Sequence, residues 1–452
     1  MLDASKGCTQ WTIIIRELYI SNPLLLKSVE VKGEILTRNT GPHSPEKPPP
    51  VEEPSANFMI GLSAGHAVKH FYQQAFLLLL PSIKATLGIT DVHIGLIGSI
   101  RTIFSAGMNI PSGIVADIWR SKVALILASS LSTLGIGYFL IGVASNYWLL
   151  VLGVAVTGIG TSFWHAPAFG TLAAVYPSKR ATALAVHRMG GSIGDSVSPI
   201  VVGILLGGFA IFGLDWAGLN WRQLAFLMVL PALGSAAIIF LAYRDVPAMS
   251  SAGLTLKAYR ESIKPLIKNK AIIAMTGLTT ARAMAHNALN IFIVIYMSED
   301  LGFSAFKSGY HLALLTLFGI GFAPAMGWAA DRIGRRIIIF TGLASISVLI
   351  YSILIFRDGV GFTVVLSLLG LFLYSVNPVM LATAIDATKR GTEGSVTAIV
   401  FTGGAIFGSI SPVLAGWLRG VYGMDSVFYF TGTIAAITTF ASLVIPMTTN
   451  KE

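Results

Sequence analysis

Gly327-Trp328-Ala329-Ala330-Asp331-Arg332-Ile333-Gly334-Arg335-Arg336 stands between two long apolar runs. It gathers one carboxylate and three cations into ten residues, a composition that belongs at the mouth of a membrane rather than in its hydrocarbon. An echo, Gly113-Ile114-Val115-Ala116-Asp117, comes about 213 residues earlier. At nearly the same offset Gly190-Gly191 and Ser198-Pro199 fall on Gly403-Gly404 and Ser411-Pro412, and Lys179-Arg180 lies against Lys389-Arg390. The chain therefore reads as two copies of one unit. In membrane carriers such repeats place the solute site near mid-membrane between the halves, which rock about it.

Working outward, the same alternation fills most of the chain. Hydrophobic residues make up 54% of its 452 residues and charged residues 12%, about half the charge of an ordinary soluble domain. Lipid must cover much of such a surface. Twelve apolar segments follow, each near the ~20 residues that cross a bilayer: 58–82, 93–116, 122–144, 147–175, 181–211, 223–243, 270–297, 307–330, 336–356, 360–386, 393–420 and 425–447. The expected organisation is a disordered tail (1–57), a six-helix half (58–243), a central loop (244–269), a second six-helix half (270–447) and a short C-terminal tail (448–452). Proline-rich residues 42–54 support the first assignment.

The net charge of +10 does not point to nucleic acid, because the cations sit in short loops. Fifteen fall on one side of the alternation, among them Lys122, Arg332, Arg335, Arg336 and the central-loop cations; five, Lys84, Arg222, Lys307, Arg357 and Arg419, fall on the other. The positive-inside rule then places both termini and the central loop in the cytoplasm. Cys8 is the sole cysteine, which excludes an internal disulfide framework and a cysteine zinc cluster. No HExxH or GxxxxGK[ST] motif is present, so neither an embedded enzyme nor any cofactor or metal is expected.

The Gly327–Arg336 stretch resembles the signature of the major facilitator superfamily, and the resemblance covers residues 58–447. Its first-half copy keeps Gly113, Asp117 and Lys122 but has Ile118 and Arg120 in place of a basic residue and a glycine. The resemblance implies an all-α fold of twelve helices in two pseudo-symmetric halves. It also implies a conformational gate of Gly113, Asp117, Lys122, Gly327, Asp331, Arg332, Gly334, Arg335 and Arg336. In that gate Asp117 would meet the N-terminus of helix 11 and Asp331 that of helix 5, in one state of the cycle only. Gly158 to Pro167, with the following Arg180 to Pro199, is similar to the fosmidomycin-resistance type of proton-coupled exporter. Gly194-xxx-Ser198-Pro199-xx-Val202-Gly203 partly resembles the antiporter motif of drug exporters.

Ionisable residues inside spans are costly and mark function. His66, Lys69, His70, Gln73 and Gln74 share one face of the first segment by their i, i+3, i+4, i+7 spacing. Arg101, Ser105, Asn109 and Ser112 share a face of the second; Arg282, His286 and Asn290 share one of the seventh. His165 lies in the fourth segment, and His187, Arg188 and Asp195 in the fifth. At the repeat offset Lys69 maps onto Arg282. The resemblance implies that every one of these lies on a cavity-lining helix.

Lys69, Arg101, Arg188 and Arg282 outnumber Asp195, so an anionic solute is expected. Substrate binding is assigned to Lys69, Gln73, Arg101, His165, Arg188, Arg282, His286 and Asn290, with Arg188 held by Asp195. Proton coupling is assigned to Asp195, His70 and His187. The reading is a monomeric, proton-coupled secondary transporter of a small organic anion in the plasma or inner membrane, whose partners are solute, proton and lipid. A multidrug-type efflux pump and a non-transporting membrane binding protein are the alternatives.

Overall fold

The computed structural model describes residues 54–211, 214–244, 261, 264–387 and 393–445. The N-terminal tail, most of the central loop, Lys389 and Arg390 lie outside the described residues. So does the side chain of Asp117.

Twelve membrane-length helical rods follow one another. They are α1 (Ala56–Leu87), α2 (Asp91–Ile118), α3 (Val123–Gly142), α4 (Tyr147–Val175), α5 (Arg180–Gly207), α6 (Trp221–Leu227 and Val229–Tyr243), α7 (Lys270–Ile295), α8 (Ala305–Ile333), α9 (Arg335–Ile353), α10 (Gly359–Asp386), α11 (Glu393–Gly408 and Ile410–Tyr422) and α12 (Met424–Val444). Nine are long and apolar enough to span a bilayer on composition alone. The other three, α1, α2 and α7, carry the polar faces read from the sequence.

The turns are fixed locally. Thr90 caps α2, Asn146 caps α4, Asn269 caps α7 and Ser304 caps α8, each accepting from a free backbone N–H of the first turn. Most spans end within a few residues of expectation, and two show the backbone reason for the difference. α5 stops at Gly207, not at 211, because Gly208 has φ +70°, a conformation L side chains rarely adopt. Phe209–Ile211 then pairs antiparallel with Leu214–Trp216. α7 leaves its α geometry at Ile295 and continues as one π turn, Tyr296–Asp300.

Small residues let helices approach closely, as in membrane packing generally. A Cβ on Gly190 would lie 2.2 Å from the carbonyl of Ser63, and one on Gly194 would lie 2.1 Å from that of Ala67. Ser198 continues the stripe and donates to the carbonyl of Phe71 at 2.7 Å. The Gly-xxx-Gly-xxx-Ser run thus seats α5 on α1. Gly194→Ala should cost about 1–3 kcal/mol of stability and exceed the cost of Gly277→Ala in α7, whose new methyl would meet nothing within 4 Å. Melting temperatures of the two variants in detergent test the order.

The halves meet through α2 with α11 and α5 with α8. Pro199 removes the N–H that would serve the carbonyl of Asp195; Thr316 of α8 donates to that carbonyl at 3.3 Å. The repeat solves the same problem in α11. Pro412 frees the carbonyl of Gly408, which accepts from Ser411 Oγ at 2.9 Å and from Asn287 Nδ2 at 3.5 Å. The Ser-Pro pairs are therefore inter-helix joints.

One end of the bundle is clamped by ions. Lys84 and Asp91 of the first half meet Glu299, Asp300 and Arg419 of the second. Lys84 Nζ lies 2.6 Å from Asp91 and 2.7 Å from Glu299; Arg419 reaches Asp91 at 2.5 Å and both Glu299 and Asp300 at 2.9 Å. Two cations serve three carboxylates, and Arg419 is only 9% exposed. Glu299 and Asp300 are 32% and 34% exposed, so breaking the cluster costs less than the ~3–5 kcal/mol of a fully buried one. Arg419→Gln should still open this end: spin labels at Ala85 and Ser304 should report a longer, broader distance distribution. An unchanged distribution would show that the cluster does not hold the halves together.

The opposite end carries the α2–α3 and α8–α9 turns. Gly334 has φ +108° there and turns the chain from α8 into α9. Asp331 is 73% exposed and, among the described residues, pairs with Arg335 of its own half at 3.7 Å. The contact expected between Asp331 and α5 is absent among the described residues. Arg335 also pairs with Asp386 of α10 at 2.8 Å. Arg336 donates to the carbonyls of Leu443 and Ile445 and so caps the end of α12. Arg332 lies over the Trp328 ring at 4.1 Å and Lys122 over the Trp119 ring at 5.8 Å. No neighbour comes within 4 Å of a Cβ built on Gly327, and a Cβ on Gly113 would only just touch Ala166.

Candidate functional site

A cavity of about 330 Å³ lies between the halves, at the small end of the range for small-molecule sites. His70, Gln73 and Gln74 of α1, Arg101 of α2 and Asp195 of α5 form its first-half polar wall; His286 and Asn290 of α7 face them. Phe76, Leu77, Leu80 and Ile291 supply apolar surface. Six residues expected at the site therefore line one cavity: His70, Gln73, Arg101, Asp195, His286 and Asn290.

Arg101 donates from Nη2 to the carbonyl of Gln73 at 3.0 Å, and its guanidinium lies 5.5 Å from the Phe76 ring centre. It forms no ion pair among the described residues. Gly158 allows this placement, because a Cβ there would lie 2.7 Å from the carbonyl of Arg101. Across the cavity Asn290 Nδ2 donates to His286 Nε2 at 3.2 Å, and Tyr374 of α10 donates to Asn290 Oδ1 at 3.4 Å. Tyr374 lines the cavity and was missed by sequence reasoning. The available signal was its position three residues before Asn377 in an otherwise apolar run.

Lys69 lies behind this wall, only 2% exposed, and does not line the cavity. Its Nζ is 2.8 Å from His165 Nε2 and 3.4 Å from His70 Nε2. His70 Nδ1 in turn lies 3.0 Å from Asp195 Oδ1, which also accepts from Gln74 at 3.3 Å. Ring nitrogens that face a carboxylate donate, so the neutral His70 ring presents its Nε2 lone pair to Lys69. His165, Lys69, His70 and Asp195 form one continuous chain of hydrogen bonds. The charges of Lys69 and Asp195 offset each other through the His70 ring.

Several expectations are corrected by this placement. Asp195 does not hold Arg188: it turns to His70 and Gln74, and Arg188 is exposed on α5. The i, i+7 spacing put both on one stripe, but the carboxylate lies two turns away along the rod and bends to α1. Arg282 is buried outside the cavity and donates to the carbonyl of Leu373 at 3.1 Å. The repeat thus conserves a buried cation on each half's first helix without aiming either into the cavity. His187 stacks on His66 with ring centres 4.2 Å apart and accepts from Trp164 Nε1 at 3.4 Å. It stands outside the Lys69–Asp195 chain. His165 touches that chain at its far end.

The profile of the Major Facilitator Superfamily matches residues 62–320 and 275–452. The chain belongs to this family. It is 24% identical over 397 residues to a probable sulfoacetate transporter of Cupriavidus necator, covering 81% of this chain and 87% of that one. It is 20% identical over 290 residues to the fosmidomycin resistance protein of Escherichia coli, covering 63% and 68% respectively. Among solved structures, a bacterial homologue of the human lysosomal transporter Spinster, inward-facing and unoccupied, superposes with a TM-score of 0.72. That match has 14% identity over 86% of this chain and 97% of the other. The superfamily fold and the resemblance to the fosmidomycin-resistance protein both hold. The chain is a multi-pass membrane transporter and not an enzyme.

Proposed function

We propose that the chain is a secondary transporter of a small organic anion, coupled to protons and working by alternating access. The supporting observation is Arg101. It faces the central cavity without a carboxylate partner among the described residues, while Lys69 and Asp195 neutralise each other through His70 and Arg188 lies exposed on α5. A guanidinium fork suits a carboxylate, sulfonate or phosphonate, and the cavity volume suits a solute of modest size. Sulfoacetate, named for a relative, is an anion of this kind. Uptake of a panel of small carboxylates and sulfonates into proteoliposomes tests the reading; transport of cations alone would overturn it.

Asp195, His70 and Gln74 meet the cavity wall, so a proton reaching Asp195 breaks the charge balance with Lys69. That imbalance favours a solute anion beside Arg101. The proposed orientation puts both termini and the α2–α3 and α8–α9 turns in the cytoplasm, which makes the ion-clamped end external and this conformation inward-open. The sole cysteine, Cys8, tests it: a membrane-impermeant maleimide should label permeabilised cells and leave intact cells unlabelled. Labelling of intact cells would reverse the orientation. The proposed setting is the plasma or inner membrane, with the protein working as a monomer.

A further inference from the structure

Three histidines of the first half converge. One ring nitrogen from each of His66, His70 and His165 lies within 4.8 Å of the other two. His66 is 3% exposed and its Nδ1 lies 2.8 Å from the carbonyl oxygen of His187. A carbonyl can only accept, so His66 Nδ1 carries the hydrogen and Nε2 is left as a bare lone pair. That Nε2 is buried without a hydrogen-bond partner. His70 is oriented likewise, with Nδ1 on the Asp195 carboxylate and Nε2 turned inward to Lys69. His165 presents Nε2 to the same Lys69 Nζ.

An imidazole fixed through Nδ1 by a carbonyl or a carboxylate, with Nε2 free, is the arrangement that outer-shell partners give to metal-ligating histidines. We propose that His66, His70 and His165 form a transition-metal site, selective for zinc-like ions, in which Lys69 is the competing cation. All-imidazole donors favour zinc, copper, nickel and cobalt over magnesium and calcium. In a tetrahedral site with metal–nitrogen distances of about 2.1 Å the nitrogens stand about 3.4 Å apart. The rings therefore need to close by little more than an ångström once Lys69 Nζ withdraws. Asp195 behind His70 offsets the added charge. Gly191 gives the rings their room: a Cβ there would lie 2.7 Å from His66 Cε1 and 2.9 Å from His70 Cδ2. His70 is 21% exposed and lines the central cavity, which provides the entry path.

The inference does not depend on the solute. Its test uses tag-free, full-length protein in detergent, titrated with Co²⁺, whose visible absorption reports tetrahedral nitrogen ligation. One equivalent should bind, and Zn²⁺ should displace it. His165→Asn and His66→Gln should each weaken binding at least tenfold. Lys69→Gln should tighten it at least tenfold, because the resident cation is gone. Elution as a folded peak in size exclusion shows that the variants are intact. Cobalt binding that survives both histidine substitutions would assign the ion to other residues. Failure of both the wild type and Lys69→Gln to bind one equivalent would overturn the site.

Discussion

Arg101→Gln should weaken solute binding by roughly a hundredfold, since hydrogen bonds to a charged group contribute about 1.5–3 kcal/mol and 1.4 kcal/mol is tenfold. The guanidinium is already oriented. The carbonyl of Gln73 takes one of its nitrogens and Phe76 lies beneath it, which leaves the remaining donors to the cavity. Arg101→Lys keeps the charge and loses the fork, so it should recover part of the affinity only. Arg282→Gln should behave differently. Its head group binds the carbonyl of Leu373 away from the cavity, so the expected loss is in stability, with solute affinity in the surviving protein close to normal. Equilibrium binding and melting temperature, measured side by side on the three variants, separate these outcomes. Equal loss of affinity in Arg101→Gln and Arg282→Gln would contradict the assignment of Arg101.

Asp195→Asn should abolish flux driven by a pH gradient and preserve solute exchange. Removing one member of a buried charge pair costs about 3–5 kcal/mol, because Lys69 would remain charged among three imidazoles with no counter-charge beyond His70. Driven flux should fall to the level seen without a pH gradient. Counterflow, in which no net proton moves, should continue, since Arg101 and the apolar wall remain. Loss of counterflow together with driven flux would show that Asp195 holds the cavity together instead of carrying the proton. Driven flux at the wild-type level would remove Asp195 from the coupling altogether.

The twelve helices were legible because the physics that forms them is local. Apolar runs of bilayer length, glycine turns and cations concentrated in alternate loops are all properties of contiguous sequence. The polar faces of α1, α2 and α7 were legible for the same reason, as helical spacing alone puts His70 and Gln73, or His286 and Asn290, on one stripe. What helical spacing does not fix is the direction of a long side chain once a neighbouring rod supplies a partner. Lys69 bends back to His165 of α4, Arg282 to a carbonyl of α10, and Asp195 crosses to α1 instead of following its own helix to Arg188.

The ion clamp was missed for a related reason. Lys84 and Arg419 read singly as loop cations of the less basic side, and their acidic partners come from both halves, Asp91 at the start of α2 and Glu299 and Asp300 in the π turn after α7. Only the folded register of α2 against α11 brings them together. The repeat was a better guide to packing than to chemistry. Pro199 and Pro412 play the same structural part, each freeing a carbonyl that a neighbouring helix serves, whereas Lys69 and Arg282, matched by the same offset, meet unrelated partners.

Counterflow of labelled small carboxylates and sulfonates in proteoliposomes, with wild type and Arg101→Gln in parallel, decides whether Arg101 binds a transported anion. At least one such anion should accumulate transiently with the wild type, be displaced by unlabelled anion, and fail to accumulate with Arg101→Gln. Accumulation of cationic solutes alone, or anion counterflow unaffected by Arg101→Gln, would contradict that role for Arg101.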